Sequence, residues 1–130
     1  MLDLAVVFAA LRALMAPHVA TLDVKTDTSL ELYLDTPYRQ KNGKPLFFGA
    51  VQVKKGFVSY HLMPVYLEPT LLAGLSIALT ARMQGKSCFN FKAVDSTLFD
   101  ELGALTRAAH ADFGRRGYLV PRNADLSRSG

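Results

Sequence analysis

The chain has 130 residues, half of them hydrophobic and one fifth charged, which excludes a disordered or fibrous polypeptide and suits one compact domain. Its single cysteine, Cys88, excludes an internal disulfide and any multi-cysteine metal site. A formal charge of +4 is too small an excess to indicate nucleic-acid binding.

Leu4, Val7, Phe8, Leu11, Leu14 and Met15 recur at helical spacing, so Leu4 to Met15 is predicted as an amphipathic helix that Pro17 ends. The stretch does not suit an export signal, since Asp3 stands where positive charge belongs and Arg12 interrupts the run. It is also far short of the ~20 residues that span a bilayer. With an unpaired cysteine, the expected compartment is the cytoplasm and no membrane is expected as a partner.

Beyond Pro17 the apolar period becomes alternating and stays so to about Met63, which predicts four antiparallel strands. A loop at Thr26, Asp27 and Thr28 aligns Val24 with Leu30 and puts Asp23 opposite Glu31. Asn42-Gly43 is a favoured two-residue hairpin turn, because both residues tolerate positive φ. Counting outward pairs Leu34 with Val51 and Leu32 with Val53, and gives a core face of Leu30, Leu32, Leu34, Tyr38, Phe47, Val51 and Val53. Glu31, Tyr33, Asp35, Phe48, Ala50 and Gln52 fall on the other face. At Lys54-Lys55-Gly56, a three-residue loop buries Ser59 and His61, whereas a two-residue Lys55-Gly56 turn buries Val58, Tyr60 and Leu62. The second is expected, since an unpartnered buried polar group costs about 1–3 kcal/mol.

Glu68-Pro69 opens a predicted helix with the stripe Leu71, Leu72, Leu75, Leu79 and Met83, capped at Gly85. A fifth strand runs from Ser87 to Lys92, with Phe89 and Phe91 inward and Cys88 and Asn90 outward. Asp95 or Ser96 caps a last helix whose buried side carries Leu98, Leu102, Leu105, Ala109 and Phe113, and Gly114 to Gly117 ends it. The expected fold class is α+β, a two-layer sandwich with a mainly antiparallel five-stranded sheet and helices on one face. Residues 1–117 form the domain, and 118–130 a flexible tail.

Several clusters can bear chemistry. Gly85-Lys86-Ser87 looks like the end of a phosphate loop, but position 80 is Thr80 and the order is helix to strand, so no nucleotide site is expected. Cys88 and His61 share the outer face, where an imidazole beside a thiol can generate a nucleophile; the alternative is a half-buried thiol and a surface imidazole that do not meet. Asp23, Glu31 and Asp35 are candidate oxygen ligands for a hard cation, because opposed carboxylates on a sheet repel; the alternative is a solvated acidic face. Residues 37–92 carry +7 and residues 17–36 carry −3, so Lys86 and Lys92 are candidates for a small anionic ligand or an acidic protein. Tyr33, Phe48, Ala50 and Met63 add apolar area to the outer face and point to self-association through it.

The runs Val58-Ser59-Tyr60-His61-Leu62-Met63-Pro64-Val65-Tyr66 and Met83-Gln84-Gly85-Lys86-Ser87-Cys88-Phe89-Asn90-Phe91 resemble segments of the YdhG-like family of small bacterial proteins, a domain of unknown function with frataxin-like members. The resemblance spans Leu30 to Phe113 and implies the helix–sheet–helix layout but no reaction. Frataxin-like members would imply iron handling by acidic residues of the first helix and adjoining strand. Here the first helix offers only Asp3, which leaves the strand residues Asp23 and Glu31.

The leading expectation is a non-enzymatic ligand-binding or protein-interaction module using Tyr33, Gln52, Ser59, His61, Lys86, Cys88, Asn90 and Lys92, with a homodimer through the outer sheet face. Iron delivery through the acidic hairpin and a small enzyme using Cys88 and His61 are the alternatives.

Overall fold

Residues 3–121 are described here from a computed structural model. Strands β1 (Asp23–Asp27), β2 (Glu31–Arg39), β3 (Pro45–Lys54), β4 (Phe57–Leu62), β5 (Met83–Gln84) and β6 (Cys88–Phe91) form one antiparallel sheet in the order β1-β2-β3-β4-β6-β5. The fold is α+β, with one strand more than the alternation predicts. Helices α1 (Leu4–Met15) and α4 (Ser96–Arg115) pack against each other on one side of the sheet, joined there by the short α2 (Met63–Leu67) and α3 (Ile77–Thr80).

The two long helices form where their apolar stripes and caps place them. Asp3 accepts a hydrogen bond from the Val6 amide at the start of α1, and Asp95 accepts one from Leu98 at the start of α4. Val7, Phe8, Leu11 and Met15 of α1 are buried, as are Phe99, Leu102, Leu105, Ala109 and Phe113 of α4, while Leu98 is partly buried. Leu4–Thr21 is apolar enough for its length to cross a bilayer, with a mean hydropathy of 1.6, yet its buried stripe is committed to the core. Pro17 ends the α-helix without ending the helical path, which continues as a 3-10 turn over Ala16–Thr21. Proline fits the first turn of that segment because no N–H is needed there.

The predicted long helix after Glu68 is absent. Pro69 pushes Glu68 out of helical dihedrals, to φ −135° and ψ 80°, and separates α2 from a 3-10 turn at Pro69–Leu72. Gly74, at φ 80°, then breaks the path a second time before α3. Ser76 restarts it: its hydroxyl accepts from Leu79 and donates to Glu101 of α4, while its amide donates to the other Glu101 oxygen. Met83, predicted as the end of this helix, instead pairs with Phe89 as part of β5, and Gly85 lies in the β5–β6 turn rather than at a helix cap. Leu79 is fully buried, and Leu71, Leu72, Leu75 and Met83 pack against the core at its margin.

In the sheet, the Lys55-Gly56 turn is as predicted: Lys54 pairs with Phe57 and Val53 with Val58, which buries Val58, Tyr60 and Leu62. The other two hairpins differ from the predicted registers. Leu32 pairs with Val51 and Leu34 with Gly49, two residues from expectation, because the Asn42-Gly43 region forms a wider loop and the register shifts again between Arg39 and Leu34. There only Gly43 takes positive φ, Gln40 exchanges backbone bonds with Gly43 and Lys44, and the Asn42 side chain accepts from the Lys44 amide. The β1–β2 turn falls at Thr28–Leu30 rather than Thr26–Thr28, because the Thr28 hydroxyl accepts from the Leu30 and Glu31 amides. Asp23 therefore lies opposite Asp35 instead of Glu31, and Leu30 is exposed at the turn instead of buried.

A bulge corrects a second expectation. Leu34 pairs with Gly49 but Asp35 pairs with Phe47, so Phe48 is an extra residue in β3. The bulge reverses the alternation below it. Phe48 turns into the core, with its ring 5.9 Å from Phe113, and Phe47 turns to the open face. Gly49 makes this possible: a Cβ there would lie 2.8 Å from the Met15 Cε and 2.6 Å from the His61 carbonyl oxygen. Met63, expected on the open face, begins α2 and packs against the core.

The core closes around one buried polar pair. The Thr106 hydroxyl donates to the Leu102 carbonyl, which leaves it to accept from Tyr60, 2.6 Å away. At the far end of α4, Arg116 bridges Asp112 and Glu68 at 2.8 and 2.6 Å. Tyr118 and Leu119, assigned to the predicted tail, pack on the core, with the Tyr118 ring against Tyr38 and Phe113. Of that tail, Arg122 to Gly130 lie outside the described residues.

Candidate functional site

Among the described residues no long helix covers the second face of the sheet, and the pairings place most of the predicted site residues there in two rows. Tyr33, Ala50, His61, Cys88 and Gln84 form one row across the strands; Glu31, Gln52, Ser59 and Asn90 form the other. Flanking side chains shield the small residues at the centre, so Ala50 and Ser59 are buried while Tyr33, Phe47, His61, Cys88, Gln52 and Asn90 are half-buried. Phe47 joins the first row: its ring stacks on Tyr33 at 4.8 Å and meets the His61 edge at 5.1 Å. Strand alternation from the predicted turn could not find Phe47, because the β2–β3 register shifts between Arg39 and Asp35 and again at Phe48.

His61 and Cys88 are cross-strand neighbours, as their shared face requires. Their chemistry is not that of an ion pair. Burial raises the Cys88 thiol above its ordinary value, against the opposing pull of the Lys54 ammonium and the Phe89 amide, so the thiol is protonated at neutral pH. Burial lowers His61, which is neutral there too. The hydrogen bond of His61 Nε2 goes to Ser87 Oγ, at 2.7 Å. Ser87, absent from the predicted site, orients this ring; it is itself only 8% exposed, which leaves its hydroxyl little room to meet a substrate. Its position before the outward-facing Cys88 was the one signal that it could approach His61.

Of the acidic candidates only Asp23 and Asp35 face each other, and Glu31 lies apart from them. Asp23 pairs with Lys25 at 3.2 Å, Asp27 with Arg12 at 2.8 Å, and the Glu31 carboxylate accepts from Gln52. Asp35, opposite Asp23, is raised chiefly by burial, with Lys25 and Arg39 acting against the shift and Asp23 adding to it. Among the described residues no three His, Cys, Asp or Glu side chains come together to hold a metal, and Asp23 is not brought to Glu31.

The basic residues also separate. Arg39, Lys41 and Lys44 lie at the β2–β3 tip, Lys54 and Lys55 at the opposite end, and Arg82, Lys86 and Lys92 along the β5–β6 side. Lys86 precedes β6 and Lys92 follows it, so the two stand at its opposite ends and do not form one site. Across the sheet, the carboxylates Glu31 and Asp35 lie on β2, while Lys86 and Lys92 flank β6.

Sequence reasoning also missed a pair of histidines on the helical side. The His18 and His110 rings are 4.6 Å apart, and Thr21 Oγ1 lies 2.7 Å from His110 Nε2. Burial lowers both imidazoles, and His18 is lowered further by His110 and Arg107. Positions 18 and 110 are remote in sequence, and only the packing of the 3-10 turn on α4 unites them.

Comparison with protein-family models, with curated proteins and with solved structures finds no match to this chain.

Proposed function

We propose that the protein is a non-enzymatic interaction module that docks a second copy of itself through the open sheet face. The observation that carries the reading is the Tyr33–Phe47–His61 aromatic row, left outside the helical layer. The corner cleft beside Glu31, Gln52 and Lys54 holds about 180 Å³, below the ~300–1,000 Å³ of small-molecule pockets. A flat partner suits such a face better than a small ligand. Six strands at ~4.8 Å spacing and about six residues long present roughly 500–600 Å² in projection, and side-chain relief raises the accessible area toward the ~800 Å² per partner of specific dimers.

Charge selects the arrangement. Two faces can meet about a two-fold axis that runs either along or across the strands. An axis across the strands sets carboxylates on carboxylates; an axis along them sets β2 over β6, with Asp35 toward Lys86 and Glu31 over Asn90 of the other copy. The second is favoured. A reduced thiol on the face also suits a cytoplasmic setting.

Sedimentation equilibrium at micromolar concentration tests the reading. The expected result is a dimer that Phe47→Asp converts to a monomer with unchanged circular dichroism. Lys86→Glu should weaken association, since it sets a carboxylate toward Asp35 of the other copy. A monomer at tens of micromolar would overturn the proposal.

A further inference from the structure

A second surface, at the β5–β6 edge of the sheet and remote from Tyr33 and Phe47, combines positive charge with apolar depth. Where α3, the end of β6 and the start of α4 meet, a cleft of about 420 Å³ has Phe91 and Leu98 at its base and Ala78 and Ala81 along one side. Its volume lies in the range of small-molecule sites. Arg82 and Lys92 stand at its rim and also line an adjoining cleft of about 220 Å³, so both cations face both spaces. Neither forms a salt bridge among the described residues, in contrast to Arg12, Lys25, Arg115 and Arg116.

The backbone holds this rim in place. The Asn90 amide donates to the Arg82 carbonyl at 2.8 Å, and the Arg82 amide donates to Leu79, which ties the arginine to both β6 and α3. The alanines leave the space that larger side chains would fill. Val94, also in the wall, leaves 47% of its surface exposed at the mouth. Among the described residues the one acid lining the cleft is Asp95, whose carboxylate caps α4 by accepting from Leu98. Two cations and one carboxylate leave a single net positive charge, which suits a monoanion better than a phosphate dianion.

We infer that this cleft binds a small organic carboxylate with an apolar body, the carboxylate between Arg82 and Lys92 and the body over Phe91 and Leu98. The guanidinium supplies a forked pair of donors and the ammonium a point charge, while the apolar body covers surface that otherwise meets water.

Octanoate is the probe, with octanol as its uncharged counterpart and inorganic phosphate as the anion without an apolar body. Titration calorimetry should show saturable one-to-one binding of octanoate, at least about tenfold tighter than octanol or phosphate. Arg82→Gln with Lys92→Gln should weaken octanoate at least about tenfold. Lys86→Gln and Phe47→Asp should leave it unchanged, and amide NMR shifts should centre on Phe91 and Leu98. Absence of saturable binding, equal affinity in the double variant, or phosphate binding as tightly as octanoate would overturn the inference. Because Phe47→Asp acts only on the open face, failure here is distinguishable from failure of the dimer.

Discussion

The two faces of the sheet are built from the same strands, yet they differ in what each side chain does. On the helical side, Leu32, Leu34, Phe48, Val51, Tyr60 and Leu62 are covered by α1, α2 and α4 and serve stability. On the open side, Tyr33, Phe47 and His61 have comparable aromatic bulk but remain half-exposed, so their removal costs the isolated chain little. Adjacent phenylalanines at positions 47 and 48 fall on opposite sides of this division. The contrast teaches that a side chain's energetic role follows the layer packed over it more than its type.

The largest test of that contrast is to delete each phenyl ring. Phe48→Ala should destabilise the fold by about 3–5 kcal/mol in urea unfolding, through lost transfer energy and a residual cavity. Phe47→Ala should cost about 1 kcal/mol or less in the monomer. Equal losses would erase the distinction between the faces.

A smaller effect sharpens the polar side of the same comparison. Thr106→Val leaves the buried Tyr60 hydroxyl without an acceptor and should cost about 1–3 kcal/mol by denaturant unfolding. Adding Tyr60→Phe should recover part of that loss, since the stranded hydroxyl is then gone. On the open face, Ser87→Ala should instead act on His61, releasing its ring with little change in overall stability.

The smallest expected effect is the response to acid. His18, His61 and His110 have native values below the ordinary 6.5, so unfolding takes up protons as the pH falls through that range. Their stabilising contribution is present above about pH 6.5 and is lost below it. The urea midpoint should therefore fall between pH 7.5 and 5.5, and the fall should flatten in a His18→Asn, His110→Asn variant. A midpoint that rises on acidification would contradict the packing of the two rings.

Much of the layout was legible because it depends on neighbours along the chain. The stripes of α1 and α4, the cap at Asp95, and the outward Cys88 and Asn90 all follow from a few residues of local period. The Lys55-Gly56 turn was readable for the same reason, since the alternative register would bury Ser59 and His61 together. Elsewhere the local signal was incomplete. Leu71, Leu72, Leu75 and Leu79 keep a helical period across a segment that Pro69 and Gly74 divide, because all four still turn to one core. For the candidate site, alternation placed Tyr33, Gln52, His61 and Cys88 on one face but could not supply Phe47 or Ser87.

The amino-acid sequence by itself determined an α+β protein, the buried stripes of its two long helices, and the face shared by His61 and Cys88, because these obey periods of two or 3.6 residues over short spans. The tertiary structure alone decided the β2–β3 register, the separation of Asp23 from Glu31, and which of Phe47 and Phe48 is buried. Those choices depend on distant partners. Both phenyl rings gain by burial, and the bulge beside Gly49, under Met15 and opposite Phe113, admits only Phe48.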